Sequence, residues 1–350
     1  MSRTVLVAGA LGVVGRAVHD HFVARNVPTI CLSRRAPDRE TTARFIPVDL
    51  LSAEDCAVRL TGLEAVTHLV YTAYTACGGP VEDAPPNTAM LRNLMAVLER
   101  ACPKLEHVTL MQGAKAYGSH LGSFRTPARE TAARHMAPNF YYDQADLLEA
   151  MQRSGAPWRI TILRPTTVYG FSLGSTMNLA TVIAVYGVIS KTLGLPLRFP
   201  GTARAYEVIR QGVDAGLLAE VVDWAGEAEA ACDTVFNVTN GDVFRWSGMW
   251  PHIAALLGMP SDDPQQLPLS AFMADKASLW ATIVERHQLR DIPFEQLVSW
   301  PFGTRNFERE YDHILDTNRL RKAGFPGFRD SVDMFADQIA RLRADRIIPA

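Results

Sequence analysis

Apolar and polar positions follow two rhythms along this chain, and the change from one to the other divides it. Residues 4–25, TVLVAGALGVVGRAVHDHFVAR, set a β-branched apolar run before three glycines and then apolar residues at helical spacing. The pattern predicts a strand, a tight turn and a helix. Short apolar runs recur at 29–33, 44–48, 65–71, 107–112 and 159–163, each read as a buried strand. Between them Ser52 stands where it would cap a helix through Leu60, and 87–100 is amphipathic. Strands alternating with helices in this way predict an α/β fold with a parallel, doubly wound sheet. Beyond Gly170 the alternation fades into helical apolar stretches at 177–193, 212–225, 246–257 and 328–343, with one more strand near 235–238. The expected organisation is a sheet-bearing core over 1–170 and a mostly helical lobe over 171–350, the strand near 235–238 returning to the core. The segment 260–268, PSDDPQQLP, reads as a solvated loop.

In a Rossmann-type strand, turn and helix the three glycines have separate uses. Gly9 permits the sharp turn, Gly12 lets a pyrophosphate approach the backbone, and Gly15 lets the helix pack closely. The helix start, with Leu11 and Val13 beside it, offers unpaired N–H groups and a positive dipole end to phosphates. The G-x-x-G-x-x-G spacing differs from the commoner fingerprint, and the competing reading is a turn that only joins strand to helix. After the second strand stands Ser33-Arg34-Arg35, where an NAD-binding domain carries an acid for the ribose 2′-hydroxyl. Guanidinium forks hold phosphate oxygens in pairs, so NADP(H) is expected in preference to NAD(H). A solvated basic loop is the alternative. Asp49-Leu50 follows the third strand, its carboxylate placed for an adenine amino group, and Thr72-Ala73 follows the fourth at the edge where such sheets hold ligands.

Composition narrows the partners. The 350 residues carry a net charge of −2, with 48% hydrophobic and 21% charged residues and no basic stripe. That balance gives no support to nucleic-acid or membrane-surface binding and leaves a small molecule as the expected partner. Five scattered cysteines and nine histidines show neither a disulfide framework nor metal-ligand spacing, so no metal is expected. No leader-like segment and no bilayer-length apolar run is read, which implies a cytoplasmic location.

The chemistry is concentrated in 111–148, MQGAKAYGSHLGSFRTPARETAARHMAPNFYYDQADLL. An extended short-chain dehydrogenase places a V-Y-G strand end and then Y-x-x-x-K here. This chain has A-Y-G, but Ala145 stands four residues after Tyr141 and Asp146 four after Tyr142. The usual lysine is missing, and one appears instead at Lys115. With Gln112-Gly113-Ala114-Lys115-Ala116-Tyr117 and Asn139-Phe140-Tyr141-Tyr142-Asp143, the chain resembles the progesterone 5β-reductase and iridoid synthase-like enone reductases. Those enzymes pair a T-G-x-K-H-Y-like strand end with N-F-Y-Y-D. The resemblance extends through Arg164-Pro165, Phe171 with Met177-Asn178, the segment FNVTNGD at 236–242, GFPGFR at 324–329 and IIP at 347–349. It implies Tyr142 as catalytic tyrosine, the second of the pair, with Lys115 as its partner. It also implies that Gln112, Lys115, Tyr142, Pro165 and Val168 meet the cofactor. The chain departs from the plant members at Gln112 for threonine, Ala116 for histidine and Tyr74 for tryptophan, all where substrate and nicotinamide would meet.

In reduction of a conjugated enone or enal, hydride adds to the β-carbon and negative charge collects on the carbonyl oxygen. A tyrosine O–H aimed at that oxygen stabilises it. A cationic lysine nearby would lower the tyrosine's pKa from about 10, and Lys115 is also placed to hold ribose hydroxyls. Tyr74, Tyr141, Phe171, Met177 and Phe302 are the candidate apolar pocket residues, each otherwise readable as core. Two other readings stand beside this one. The first keeps the fold for carbonyl reduction or sugar-nucleotide epimerisation, against which the missing lysine argues. The second is a non-catalytic NADP(H)-sensing protein. A homodimer is compatible with the resemblance, although no stretch marks an interface.

Overall fold

The computed structural model describes residues 3–174 and 177–350. Ten strands lead through the sheet-forming part of the chain: β1 (Val5–Ala8), β2 (Thr29–Ser33), β3 (Arg44–Pro47), β4 (His68–Tyr71), β5 (His107–Met111), β6 (Arg159–Pro165), β7 (Thr167–Tyr169), β8 (Leu197–Arg198), β9 (Gly212–Asp214) and β10 (Thr234–Val238). Seven of them form one sheet in the order β10-β6-β5-β4-β1-β2-β3, each neighbouring pair parallel. All four residues of β1 and all four of β4 are buried, as apolar runs covered on both faces must be. The chain runs outward from β1 to β3, then restarts at β4 on the other side of β1. That reversal opens a crevice at the carboxyl ends of β1 and β4, where such sheets take ligands. The strand expected near 235–238 is β10, at the sheet edge beside β6.

Helices α1 (Val13–Ala24), α2 (Ala53–Arg59), α3 (Pro80–Ala101) and α4 (Phe140–Arg153) belong to this part of the chain. Ser52 caps α2 as expected, its hydroxyl accepting from the Asp55 N–H at 3.1 Å. Helix α3 begins at Pro80, earlier than the expected residue 87, and contains Pro85 and Pro86. A proline pair inside a helix deletes ladder hydrogen bonds and reads as a boundary in sequence. Side-chain contacts hold the turn before it. Buried Asp83 accepts from the Cys77 N–H at 2.6 Å, and Asn87 accepts from the Thr75 N–H at 2.9 Å. The helix expected over 212–225 starts instead at Ala215, because Gly212–Asp214 is β9, paired in parallel with β7.

Contacts divide the chain into two compact units. The first takes the described residues up to Thr166, with Gly216–Val238 and Leu315–Gly327; the second takes Thr167–Ala215, Thr239–Ile314 and Phe328–Ala350. The second unit is built on α5 (Leu179–Thr192), buried from Leu179 to Ser190, whose start is capped by Asn178. Its core includes Phe199, Trp246, Trp250 and Phe307, whose rings meet edge to face at centroid distances of 5.2 to 5.9 Å. Such a geometry suits the ring quadrupoles. No helix among the described residues is long and apolar enough to cross a membrane.

Candidate active site

The glycine loop lies between β1 and α1. Gly9 has φ +82°, and a Cβ there would sit 2.8 Å from the Ala73 backbone, so only glycine allows the loop to lie against the end of β4. A Cβ on Gly15 would come within 2.2 Å of the Gly9 carbonyl oxygen, which fixes the helix against the loop. At Gly12 the nearest atom to such a Cβ is that same oxygen at 3.4 Å, leaving the side away from it open. Gly12 is the N-cap of α1 and no side chain caps it. An uncapped helix start above an open glycine suits a pyrophosphate in chemistry and in shape.

Around the loop, Thr72 donates through Oγ1 to the Ala8 carbonyl at 2.8 Å, tying the ends of β1 and β4 together. Leu11 is half-buried, and Val13 is buried under the loop. Ser33 accepts from the Arg35 N–H at 3.1 Å, and Arg34 and Arg35 are exposed at the end of β2. Asp49 is exposed and accepts from the Leu51 N–H at 3.1 Å, whereas Leu50 is buried in the core. Sequence reasoning missed Arg16. From α1 it grips Asp38 with two hydrogen bonds of 3.1 and 2.6 Å, fastening the loop that follows Ser33-Arg34-Arg35.

At the end of β5 the chain turns through Gly113 into a 3₁₀ turn, Ala114–Tyr117, that carries Lys115. Two side chains hold this turn by the Lys115 carbonyl: His135 through Nε2 at 2.9 Å and Asn139 through Nδ2 at 3.0 Å. The Lys115 ammonium lies over the Tyr74 ring, 5.6 Å from its centroid. Tyr117 donates to Asn237 Oδ1 at 2.5 Å and accepts from Arg164, so the motif's second aromatic serves to join the turn to β10 and β6. Gln112 is buried and fully engaged. Its Nε2 donates to the Tyr141 carbonyl at 2.6 Å and its Oε1 accepts from Arg164 Nε at 2.9 Å.

The tyrosine pair opens α4. Asn139 caps the helix, its Oδ1 accepting from the Tyr141 N–H at 3.1 Å. Neighbouring residues on a helix point about 100° apart, so Tyr141 and Tyr142 face different surroundings. Tyr142, 6% exposed, donates its hydroxyl hydrogen to the Ala116 carbonyl at 2.8 Å and accepts from the His135 N–H at 3.2 Å. Its ring is packed between His135 and the Arg134 guanidinium. Tyr141 points the other way. Its hydroxyl oxygen would lie 3.2 Å from a Cβ built on Gly113, and it makes no hydrogen bond with any described residue. Burial pushes this hydroxyl above the ordinary tyrosine range, so the O–H stays protonated. The expectation that a cationic lysine lowers the acid tyrosine therefore fails for Tyr141, where burial is the cause and acts upward.

Tyr74 stacks on Phe140 at 5.6 Å and donates to Asp83 Oδ2 at 2.9 Å. Its own hydroxyl is pushed upward, first by burial, then by the Asp83 bond and charge and by Tyr141. The first unit thus gathers Gly113, Lys115, Tyr74, Phe140 and Tyr141 around the end of β5. Asp83 and Asn87, one turn apart on α3, position the Tyr74 segment; their polar character on a buried helix face was the signal available in the sequence. Pro165 lies in β6 of this unit. Val168, Phe171, Met177 and Phe302 belong to the second unit, where Phe171 lies under the Arg341 guanidinium at 5.1 Å and Phe302 packs on the core. Among the described residues no group of three or more His, Cys, Asp or Glu is placed to hold a metal. All five cysteines are free.

Comparison with known proteins adds family to geometry. Residues 48–349 match the PRISE-like Rossmann-fold domain. An (S)-8-oxocitronellyl enol synthase of Nepeta cataria is 32% identical over 366 positions, covering 98% of this chain and 92% of the relative. A 3-oxo-Δ4,5-steroid 5β-reductase of Arabidopsis thaliana is 30% identical over 366 positions, covering 98% and 92%. A short-chain dehydrogenase of Penicillium aethiopicum is 30% identical over 377 positions and covers both chains fully. Among solved structures, UDP-glucose 4-epimerase of Thermotoga maritima with UDP-glucose superposes with TM-score 0.71 at 16% identity, covering 97% and 99%, a likeness of fold.

Proposed function

Since the chain belongs to the PRISE-like Rossmann-fold family, we propose that it is an NADPH-dependent oxidoreductase that reduces the activated C=C bond of enones and enals, with Tyr141 as the hydroxyl that receives the enolate. The observation that carries the reading is the Tyr141 O–H, protonated and without a protein partner, held at Gly113 beside the Lys115 turn. The names of the relatives, an enol synthase and a 3-oxosteroid 5β-reductase, support a carbonyl-conjugated substrate.

NADPH, when bound, supplies the hydride that adds to the β-carbon. The glycine loop and the open start of α1 hold its pyrophosphate, and Arg34 and Arg35 hold its 2′-phosphate. Nicotinamide dinucleotides in the titles of structural neighbours agree with the choice of cofactor class. Lys115 holds ribose hydroxyls and keeps positive charge beside the developing enolate. As charge builds on the substrate oxygen, the Tyr141 O–H strengthens its hydrogen bond to it, an interaction worth more in the transition state than in the ground state. Tyr142 takes no part in that step. It pins the Ala116 carbonyl and, through His135, the turn that presents Lys115. Tyr74 and Phe140 supply an apolar wall, which suits a small or medium apolar substrate.

The test is NADPH oxidation with 2-cyclohexen-1-one and a 3-oxo-Δ4-steroid, with the products identified. Saturated ketone is the expected product. Allylic alcohol would replace the C=C reading by carbonyl reduction. Tight NADPH binding with no turnover of any enone or carbonyl would leave the cofactor-sensing reading in its place.

A further inference from the structure

A second polar constellation lies wholly inside the second unit and has no part in the chemistry above. Arg210, Arg309, Trp246, His313, Asn306 and Tyr169 are among the residues lining a cavity of about 10 Å³, the measure needed to seat one particle of about the size of a water molecule. Arg210 is 5% exposed. It donates through Nη2 to the Arg309 carbonyl, and its Nε is buried with no partner. Trp246, 2% exposed, likewise buries its indole Nε1 with no partner. Both orphaned groups are N–H donors.

The charge is unbalanced in the same direction. Neither guanidinium forms an ion pair with a carboxylate. The acid that acts on Arg210 is Asp312, whose Oδ1 already accepts from the Ile209 N–H at 2.8 Å. Burial, and then the Arg309 charge, push Arg210 down to about 9, so both arginines remain cationic at neutral pH. Burial and the same two charges hold His313 well below its usual range, which keeps it neutral. Two buried cations with orphaned donors and no counter-charge are costly, since buried charges are ordinarily paired. An anion that accepts from both donors removes both penalties together.

We propose that this cavity binds one halide-sized inorganic anion, chloride being the abundant case, held by the unpartnered N–H groups of Arg210 and Trp246 and neutralising the Arg210–Arg309 pair. Its size excludes phosphate, sulfate and any organic acid. The anion is structural: it ties the segment at Arg210 to the segment at Arg309 and to the helix that opens with Trp246.

Thermal unfolding of the whole protein in sodium chloride against sodium gluconate at equal ionic strength tests this. A ligand that binds only the native state raises Tm with concentration. The expected result is a saturable rise with chloride and bromide and none with gluconate. Trp246→Phe keeps the ring and removes the N–H, and should raise the half-saturating chloride concentration about tenfold or more, as loss of a hydrogen bond to a charged group does. Arg309→Gln should abolish the response. Equal Tm values in chloride and gluconate, or a wild-type response in Trp246→Phe, would overturn the proposal. Crystals grown in bromide give a readout free of variants. An anomalous peak in the cavity is expected, and a cavity holding only water would overturn it.

Discussion

Replacing Tyr142 by phenylalanine separates a tyrosine that holds the structure from one that meets the substrate. The substitution keeps the ring between His135, at 5.4 Å, and the Arg134 guanidinium, at 4.9 Å. Only the hydroxyl is lost, and with it the bonds to the Ala116 carbonyl and the His135 N–H. His135 is half-buried, so water can take its N–H. Ala116 is 3% exposed, and its carbonyl is left unpaired. An unsatisfied buried acceptor costs about 1–3 kcal/mol. At roughly 2–4 °C per kcal/mol for domains of this order of size, Tm should fall by several degrees. The 3₁₀ turn that carries Lys115 loses a support in the same change, so the KM for NADPH should rise modestly while kcat stays within a few-fold of wild type. Differential scanning calorimetry and steady-state kinetics on one preparation read both. An unchanged Tm with turnover abolished would refute the reasoning and put Tyr142 at the reacting centre.

Other predictions follow from the same geometry. Gly113→Ala adds a methyl 3.2 Å from the Tyr141 hydroxyl without backbone strain, since Gly113 is extended at φ 171°. The variant should fold normally in a circular dichroism melt and lose turnover by about a hundredfold, the cost of a misplaced reacting group. Arg34→Ala with Arg35→Ala should weaken NADPH far more than NADH in fluorescence titrations, and an equal loss for both would remove the 2′-phosphate assignment. His107 is 4% exposed and is depressed to about 3, chiefly by burial, then by His68 and Arg3. Its native pKa lies below its unfolded value near 6.5, so its contribution is whole above pH 6.5 and is lost as pH falls toward 3. The slope is about 1.4 kcal/mol per pH unit. Urea unfolding at pH 8, 6 and 5 should show that decline in wild type and a shallower one in His107→Gln.

Much of this was readable in the order of residues, and the failures have physical causes. The strand, glycine turn and helix at the N-terminus were legible because β-branched runs, glycines and helical spacing agree at every level. The start of α3 was not, since Pro85 and Pro86 read as a break unless Asp83 and Asn87 are known to brace the preceding segment. Strands β7 and β9 have three residues each, too few for periodicity to register. The Lys115 turn and the tyrosine pair stood out as motifs. Which tyrosine faces the strand end did not, because that depends on where α4 begins relative to Gly113, which adjacent residues of one type cannot reveal. Arg16 and Asp38 are 22 residues apart, and only the folded loop brings them together.

Turnover of an enone by Tyr141→Phe tests the central claim most directly. The Tyr141 hydroxyl bonds to no described residue, so the variant should keep the Tm and NADPH affinity of wild type. Removal of a single oxyanion donor predicts a fall in kcat of about 10²–10³. A variant that still forms saturated ketone at the wild-type rate would contradict the account.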